Sequence, residues 1–189
     1  GGCPVQREER GEAVEPEPKQ MKVLHVIHWL SRQAGGPPRS VQGLVSAQVA
    51  AGVDAWLYSA VPGDRPWIEG VRLLEKADSA EQLSTFDLVH IHGIWKPQLH
   101  QIVKLCRKKK IPYLISPRGM LDPWSFAQKK WKKRLAMWLY QRRDLRGAAA
   151  LHAAAEPEAD QFRRLGFKNQ IIISPNGVNL PVGEEKDHV

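Results

Sequence analysis

Residues 22–52 read KVLHVIHWLSRQAGGPPRSVQGLVSAQVAAG, and the change of texture along them sets the fold. KVLHVIH (22–28) is β-like, carrying Val23, Val26 and Ile27. Residues 38–51 place Val41, Leu44, Val45 and Val49 on one helical face. Gly52 supplies the helix stop. Two glycines, two prolines and an arginine lie between strand and helix. Pro38 suits a first helical turn, where a missing N–H costs nothing. Pro37 is expected outside the α region because a proline follows it. Gly35 and Gly36 open backbone conformations closed to other residues and leave no side chain in the way. A plain turn, a phosphate loop and one wall of a sugar-handling cleft all fit this composition. The spacing is neither G-x-G-x-x-G nor G-x-x-x-x-G-K-[ST], which removes the dinucleotide and P-loop readings. A helix start with free N–H groups still favours an anion, and Arg39 adds a charged fork.

The same alternation continues along the chain. Strand-like VDAWLYSA (53–60), VRLLEK (71–76), DLVHIH (87–92), IPYLIS (111–116), AAALHAAA (148–155), whose alanines equally suit a continuing helix, and IIIS (171–174) are interleaved with helical patterns at 95–110, 124–146 and 156–166. Apolar strands linked through helices indicate an α/β fold, a parallel sheet with helices on both faces. Loops after the strand ends gather on one edge of such a sheet, where ligands bind. Those loops hold Gly35, Gly36, Arg39, His92, Gly93, Trp95, Arg118 and Gly119.

In HIHGIW (90–95), His90 and His92 point to the same side of a strand. No third ligand stands at a recognisable spacing, so no metal site is expected. His90 reads as a core histidine. His92, at the strand end before Gly93, suits a hydrogen-bonding or titrating role in the cleft, with packing as the alternative. In SPRGMLDPW (116–124), Arg118 suits a phosphate or carboxylate, or else a salt bridge within the domain. Asp122 and Pro123 read as N-cap and first residue of the next helix.

The 189 residues suit one domain, and 42% hydrophobic with 25% charged residues is ordinary for a globular protein. No apolar run approaches the ~18 residues of a membrane span, and no signal-peptide pattern opens the chain. Two cysteines, Cys3 and Cys106, argue against a structural disulfide and fit a reducing cytoplasm. The net charge is +8, with the excess between Lys104 and Arg146, where Asp122 and Asp144 are the only acids. Such a block favours an anionic partner or forms a solvated helix face. Lys129, Lys130, Lys132, Lys133 and Arg134 lie opposite a stripe of Trp124, Trp131, Leu135, Trp138 and Leu139. The stripe is expected to contact the core, and the basic side to suit anionic lipid. No motif for reading nucleic acid accompanies it.

In this order, VLHVIHWLS, GGPPRSV, DLVHIHGIW, SPRGMLDPW, KKWKKRLAMWLYQRRDL, LHAAAEPEA and PNGVNLP make residues 22–181 similar to the amino-terminal domain of family 4 glycosyltransferases of the GT-B fold. The branch most resembled builds bacterial exopolysaccharide and lipopolysaccharide. The resemblance implies a Rossmann-like sheet and the acceptor side of a retaining transferase. The UDP- or GDP-linked sugar donor would be held by a second, carboxy-terminal domain rather than by this one. Gly35 and Gly36 match the family's glycine loop, and His92 its histidine after the fourth strand, the catalytic candidate. Gly93, Trp95 and Gly119 join them as substrate-binding candidates, and Arg39 and Arg118 are expected on anionic acceptor groups such as a lipid diphosphate.

One departure is local: the family has Thr or Ser where LHAAAE has Ala154 and Ala155, so a hydroxyl cap worth ~1 kcal/mol is missing. The other is length. Residues 1–20 read as a disordered leader or tag, 21–181 as the Rossmann-like domain and 182–189 as a tail after the linker-like PNGVNLP, so the donor half is expected to lie elsewhere. The domain alone is expected to be inactive, cytoplasmic and able to rest on the inner face of the plasma membrane. A subunit of a two-chain transferase, or a non-enzymatic domain binding polyanions or membranes, are the alternatives.

Overall fold

The computed structural model describes residues 20–122 and 135–177. Seven parallel strands form one sheet in the order β3-β2-β1-β4-β5-β6-β7. They are β1 (Lys22–Trp29), β2 (Asp54–Val61), β3 (Arg72–Leu73), β4 (Leu88–His92), β5 (Tyr113–Ser116), β6 (Ala150–Ala153) and β7 (Gln170–Ile173). The helices are α1 (Gly36–Ala50), α2 (Ala80–Leu83), α3 (Pro97–Lys109), α4 (Arg142–Arg146) and α5 (Glu156–Arg164). The fold is Rossmann-like α/β, as its strand order requires.

Crossover handedness explains the two helical layers. The chain moves one way from β1 to β2 and the other way from β4 through β7. Right-handed connections then put α1 on one face and α3 and α5 on the other. The cores agree. Val41 and Val45 of α1 pack with Ile27, Leu30, Ala55 and Leu57. Leu99, Ile102, Val103 and Cys106 of α3, with Ala159 and Phe162 of α5, pack with Leu24, Val26, Val89, Ile91 and Ile115. The direction changes between β1 and β4, which makes the crevice beyond their ends the expected ligand position.

Three expectations need correction. Helix α1 begins at Gly36, so Pro37 is helical although Pro38 follows it. The clash that disfavours the α region before a proline involves the preceding N–H and Cβ, and Pro37 has no N–H, so part of it is absent. The third strand shrinks to Arg72–Leu73. The stripe on the long helix is not core throughout. Residues 137–141 form a π-turn, which shifts the helix phase. Gln141, Asp144 and Leu145 face inward, while Leu135 and Leu139 are 48% and 57% exposed. Trp124, Trp131, Lys129, Lys130, Lys132, Lys133, Arg134 and the cap at Pro123 lie outside the described residues, as do 1–19 and 178–189. Among the described residues, no helix is long and apolar enough to cross a membrane.

Candidate functional site

Three loops and a turn meet beyond the strand ends. Gly35, at φ 78°, turns the chain from a short 3-10 segment into α1. Pro37 and Pro38 delete two N–H groups of that helix start, so Gly35 and Gly36 carry its remaining first donors. After β5, Arg118 and Gly119 both adopt positive φ, 53° and 71°. For an arginine that conformation is uncommon and is held here by its bonds. A cavity of about 480 Å³ is lined by Gly36, Ser40, Arg118, Gly119, Glu158 and Asn176, among others. A smaller one of about 170 Å³ adjoins it across Arg118 and holds His92, Gly93 and Met120.

Arg118 organises this edge. Its Nε and Nη2 donate to His92 Nδ1 at 3.3 and 3.0 Å, and its Nη1 donates to Ser40 Oγ at 2.9 Å and Asn176 Oδ1 at 3.1 Å. A guanidinium has five N–H groups, so one Nη2 hydrogen remains for the cavity. Burial pulls the Arg118 pKa below its usual value, and no carboxylate forms an ion pair with it among the described residues. The result is a mostly buried positive charge with no direct ion pair, offset in part by the nearby Glu158 carboxylate.

Because an arginine only donates, the protons behind it are fixed. His92 Nδ1 must accept, so neutral His92 carries its hydrogen on Nε2. That nitrogen lies 3.0 Å from His25 Nδ1, which must therefore accept. His25 then donates from Nε2 to Gln48 Oε1 at 2.7 Å. A second chain runs alongside. His152 Nε2 donates to the Ser174 carbonyl at 3.0 Å, so its Nδ1 accepts from Ser116 Oγ at 2.7 Å. Ser116 in turn accepts from His90 Nε2 at 2.6 Å. Desolvation is the main cause that lowers all four histidine pKa values: His25 to about 4, His90 and His92 well below the ordinary value, and His152 in the same direction.

Strand register explains the cluster. His25 pairs with His90 and Ile27 with His92, all on the α1 face. The third histidine that sequence spacing lacks therefore comes from β1, and ring nitrogens of His25, His90 and His92 lie within 4.8 Å of one another. The donor set still does not fit a metal. His92 has both nitrogens engaged, and the nearest charge is the Arg118 cation. A dication there would have to break the bonds of His92 to Arg118 and His25 and stand beside the Arg118 cation.

A family model described as a glycosyl transferase 4-like domain matches residues 35–177. The chain belongs to this family. No curated protein matches it. Among solved structures it is similar to a UDP-GlcNAc 2-epimerase from Neisseria meningitidis bound to UDP-GlcNAc, at 14% identity and a TM-score of 0.48, over 82% of this chain and 46% of the epimerase chain. The chain thus spans about half the length of that structure.

Within this glycosyl transferase 4-like domain, the anticipated residues divide among neighbouring cavities. Gly36, Arg118 and Gly119 share the 480 Å³ cavity. His92 and Gly93 stand behind it, and His92 is buried with no free ring nitrogen, so Arg118 rather than His92 fronts the cleft. Gly35 and Arg39 line a separate cavity that also borders Gly36. Trp95 is not brought to any of these. Its N–H donates to Gln141 Oε1 at 2.8 Å, its indole to the Met120 carbonyl at 3.4 Å, and its carbonyl accepts from Tyr140 at 2.9 Å.

Sequence reasoning missed His25, Gln48, Ser40 and Glu158. Glu158 Oε1 accepts from the Gly119 N–H and Oε2 from the Ala154 N–H, both at 2.8 Å. It thereby ties the β5 loop to the residue just before the N-cap of α5. Its signal was present: a Glu three residues into a helix after the N-cap is half of a capping box.

Proposed function

We propose that this domain is the acceptor side of a retaining glycosyltransferase, one that moves a sugar from a UDP- or GDP-linked donor to a cell-surface polysaccharide or lipid-linked acceptor. The donor is held by a second domain, in the same chain or a partner. The observation that carries this reading is the mostly buried Arg118, free of a direct ion pair among the described residues, at the crevice where Gly36, Gly119 and Asn176 meet. An acceptor diphosphate placed there gains the remaining Arg118 N–H and its charge in a partly dry site. Closure by the second domain excludes water and limits donor hydrolysis.

The test is calorimetry of the 189-residue chain with a short polyprenyl-diphosphate sugar in detergent. Binding is expected, weakened at least tenfold by Arg118→Gln, since hydrogen bonds to charged groups are worth about 1.5–3 kcal/mol. Gly36→Ala offers an independent block: a Cβ there meets nothing within 4 Å, so it enters open space without disturbing the fold. Transfer from UDP-glucose by the chain alone, or binding indifferent to both changes, would overturn the reading.

A second reading, docking to anionic membrane, is favoured by one observation. Leu135 and Leu139 are exposed on the helix that also exposes Arg142, Arg143 and Arg146. Apolar and cationic side chains together suit a lipid interface. Sedimentation with phosphatidylglycerol vesicles but not phosphatidylcholine vesicles, lost in Leu135→Ser/Leu139→Ser, is the expected result. Equal sedimentation with both lipids counts against it.

A further inference from the structure

We propose that the cleft on the far side of Gly36 is a second anion subsite, shaped for the carboxylate of an acidic sugar. Its walls are Arg32, Gly35, Gly36, Arg39, Trp67 and Ile68, around about 680 Å³. Small-molecule sites span ~300–1,000 Å³, and this volume exceeds what a bare anion fills.

The loop that carries Trp67 is fastened to the rest of the domain at several points. Gly63 packs so closely on β1's exit that a Cβ would sit 2.2 Å from the Leu30 carbonyl oxygen, so only glycine fits. Asp64 N donates to that same carbonyl at 2.7 Å, and its carboxylate accepts the Arg32 N–H at 2.7 Å. Gln42, fully buried on α1, accepts from Trp67 N at 2.8 Å and Ile68 N at 3.3 Å while its Nε2 donates to the Pro38 carbonyl at 3.2 Å. Burying an amide is costly unless its bonds are met, and here they are met by fixing an outer loop to the helix that bears Arg39. Ser46 adds a bond to the Glu69 carbonyl at 2.9 Å.

This fastening arranges charge. Trp67 packs on the α1-side core, and the Arg32 guanidinium lies over its ring at 5.2 Å. The π face of the indole attracts the guanidinium and keeps it in this cleft. Arg39 stands on the first turn of α1 in the same cleft. Among the described residues neither arginine makes an ion pair. Two planar forks beside the apolar Ile68 and Trp67 match a pyranose that carries a carboxylate. The forks take the carboxylate, and the ring's carbon face covers the apolar wall. Gly36 borders both this cleft and the Arg118 cavity, so one acceptor glycan can reach both. The purpose of the subsite rests on the acceptor-side reading; its binding does not.

The experiment is calorimetry of the 189-residue chain with tetragalacturonate, with maltotetraose and inorganic pyrophosphate as comparison probes. Tetragalacturonate should bind, and Arg32→Gln and Arg39→Gln should each weaken it at least tenfold with an unchanged melting temperature. Arg118→Gln should change it less than twofold, which separates this subsite from the diphosphate site. The proposal fails if tetragalacturonate does not bind at millimolar concentration, or if maltotetraose binds as well. It also fails if the two arginine variants have no effect, or if pyrophosphate competes through Arg32 and Arg39.

Discussion

Arg118 sets the proton positions of two histidines that it fronts, and that ordering is directly observable. The His92 ring should carry its hydrogen on Nε2, and so should His25, because donation starts from a group that cannot accept. Nitrogen-15 spectra of labelled histidine distinguish the two tautomers. Both residues are expected as the Nε2–H form at pH 7.5, with mixed tautomers once Arg118→Met removes the donor. A His92 ring protonated on Nδ1 in the wild-type protein contradicts the arrangement. This is also where the sequence was least legible. His92 and Arg118 could be singled out because each follows a strand at a loop edge. His25 could not, since nothing local distinguishes it from His28, and only the parallel register of β1 with β4 makes it a neighbour of His92.

Among the elements, α5 shows what a missing side chain leaves behind. Ala155 is its N-cap, extended at φ −159° and ψ 163°, with no side-chain bond to the first turn. Pro157 needs no partner in that turn, and Glu158 reaches back to the Ala154 N–H. Ala155→Ser should therefore stabilise the protein by about 1 kcal/mol, less than the upper range for caps because Pro157 offers no N–H and the Glu158 N–H already donates to the Ala155 carbonyl at 3.1 Å. At this chain length that is a rise of about 2–4 °C in melting temperature, measurable by calorimetry. No rise would mean that the bond from the Glu158 N–H to the Ala155 carbonyl suffices. Most elements were legible because apolar residues recur with strand or helix period. The exceptions have local causes. Strand β3 has two residues and too little pattern to read. The outward turn of Leu135 and Leu139 depends on a π-turn, which breaks the 3.6-residue period on which the expectation of a core stripe rested.

At the scale of the whole molecule, the sheet was legible because only a parallel, doubly wound order satisfies repeated strand–helix units with short connections. What those units conceal is a polar seam across the middle of the sheet, where His25, His90 and Ser116 are buried, His90 bonded to Ser116 and His25 to His92. That seam makes stability depend on acid. His25 is held at about 4 in the folded protein against 6.5 when exposed, chiefly by desolvation. Between those values the unfolded chain binds the extra proton, so stability rises with pH across the window and falls as pH drops through it. For His25 alone the loss from above pH 6.5 to pH 4 is about 3 kcal/mol, a large fraction of the ~5–15 kcal/mol of a typical domain. His90, His92 and His152 are shifted in the same direction and steepen the fall. Asp144 works against it at the acid end, since burial raises its carboxyl pKa and protonation there favours the folded state. Urea midpoints should drop markedly from pH 7.5 to pH 5, and His25→Gln should flatten that slope whatever it does to stability at pH 7.5. A midpoint constant over that range would mean that the histidines are solvated, and the Arg118 arrangement built on their neutrality would fall with it.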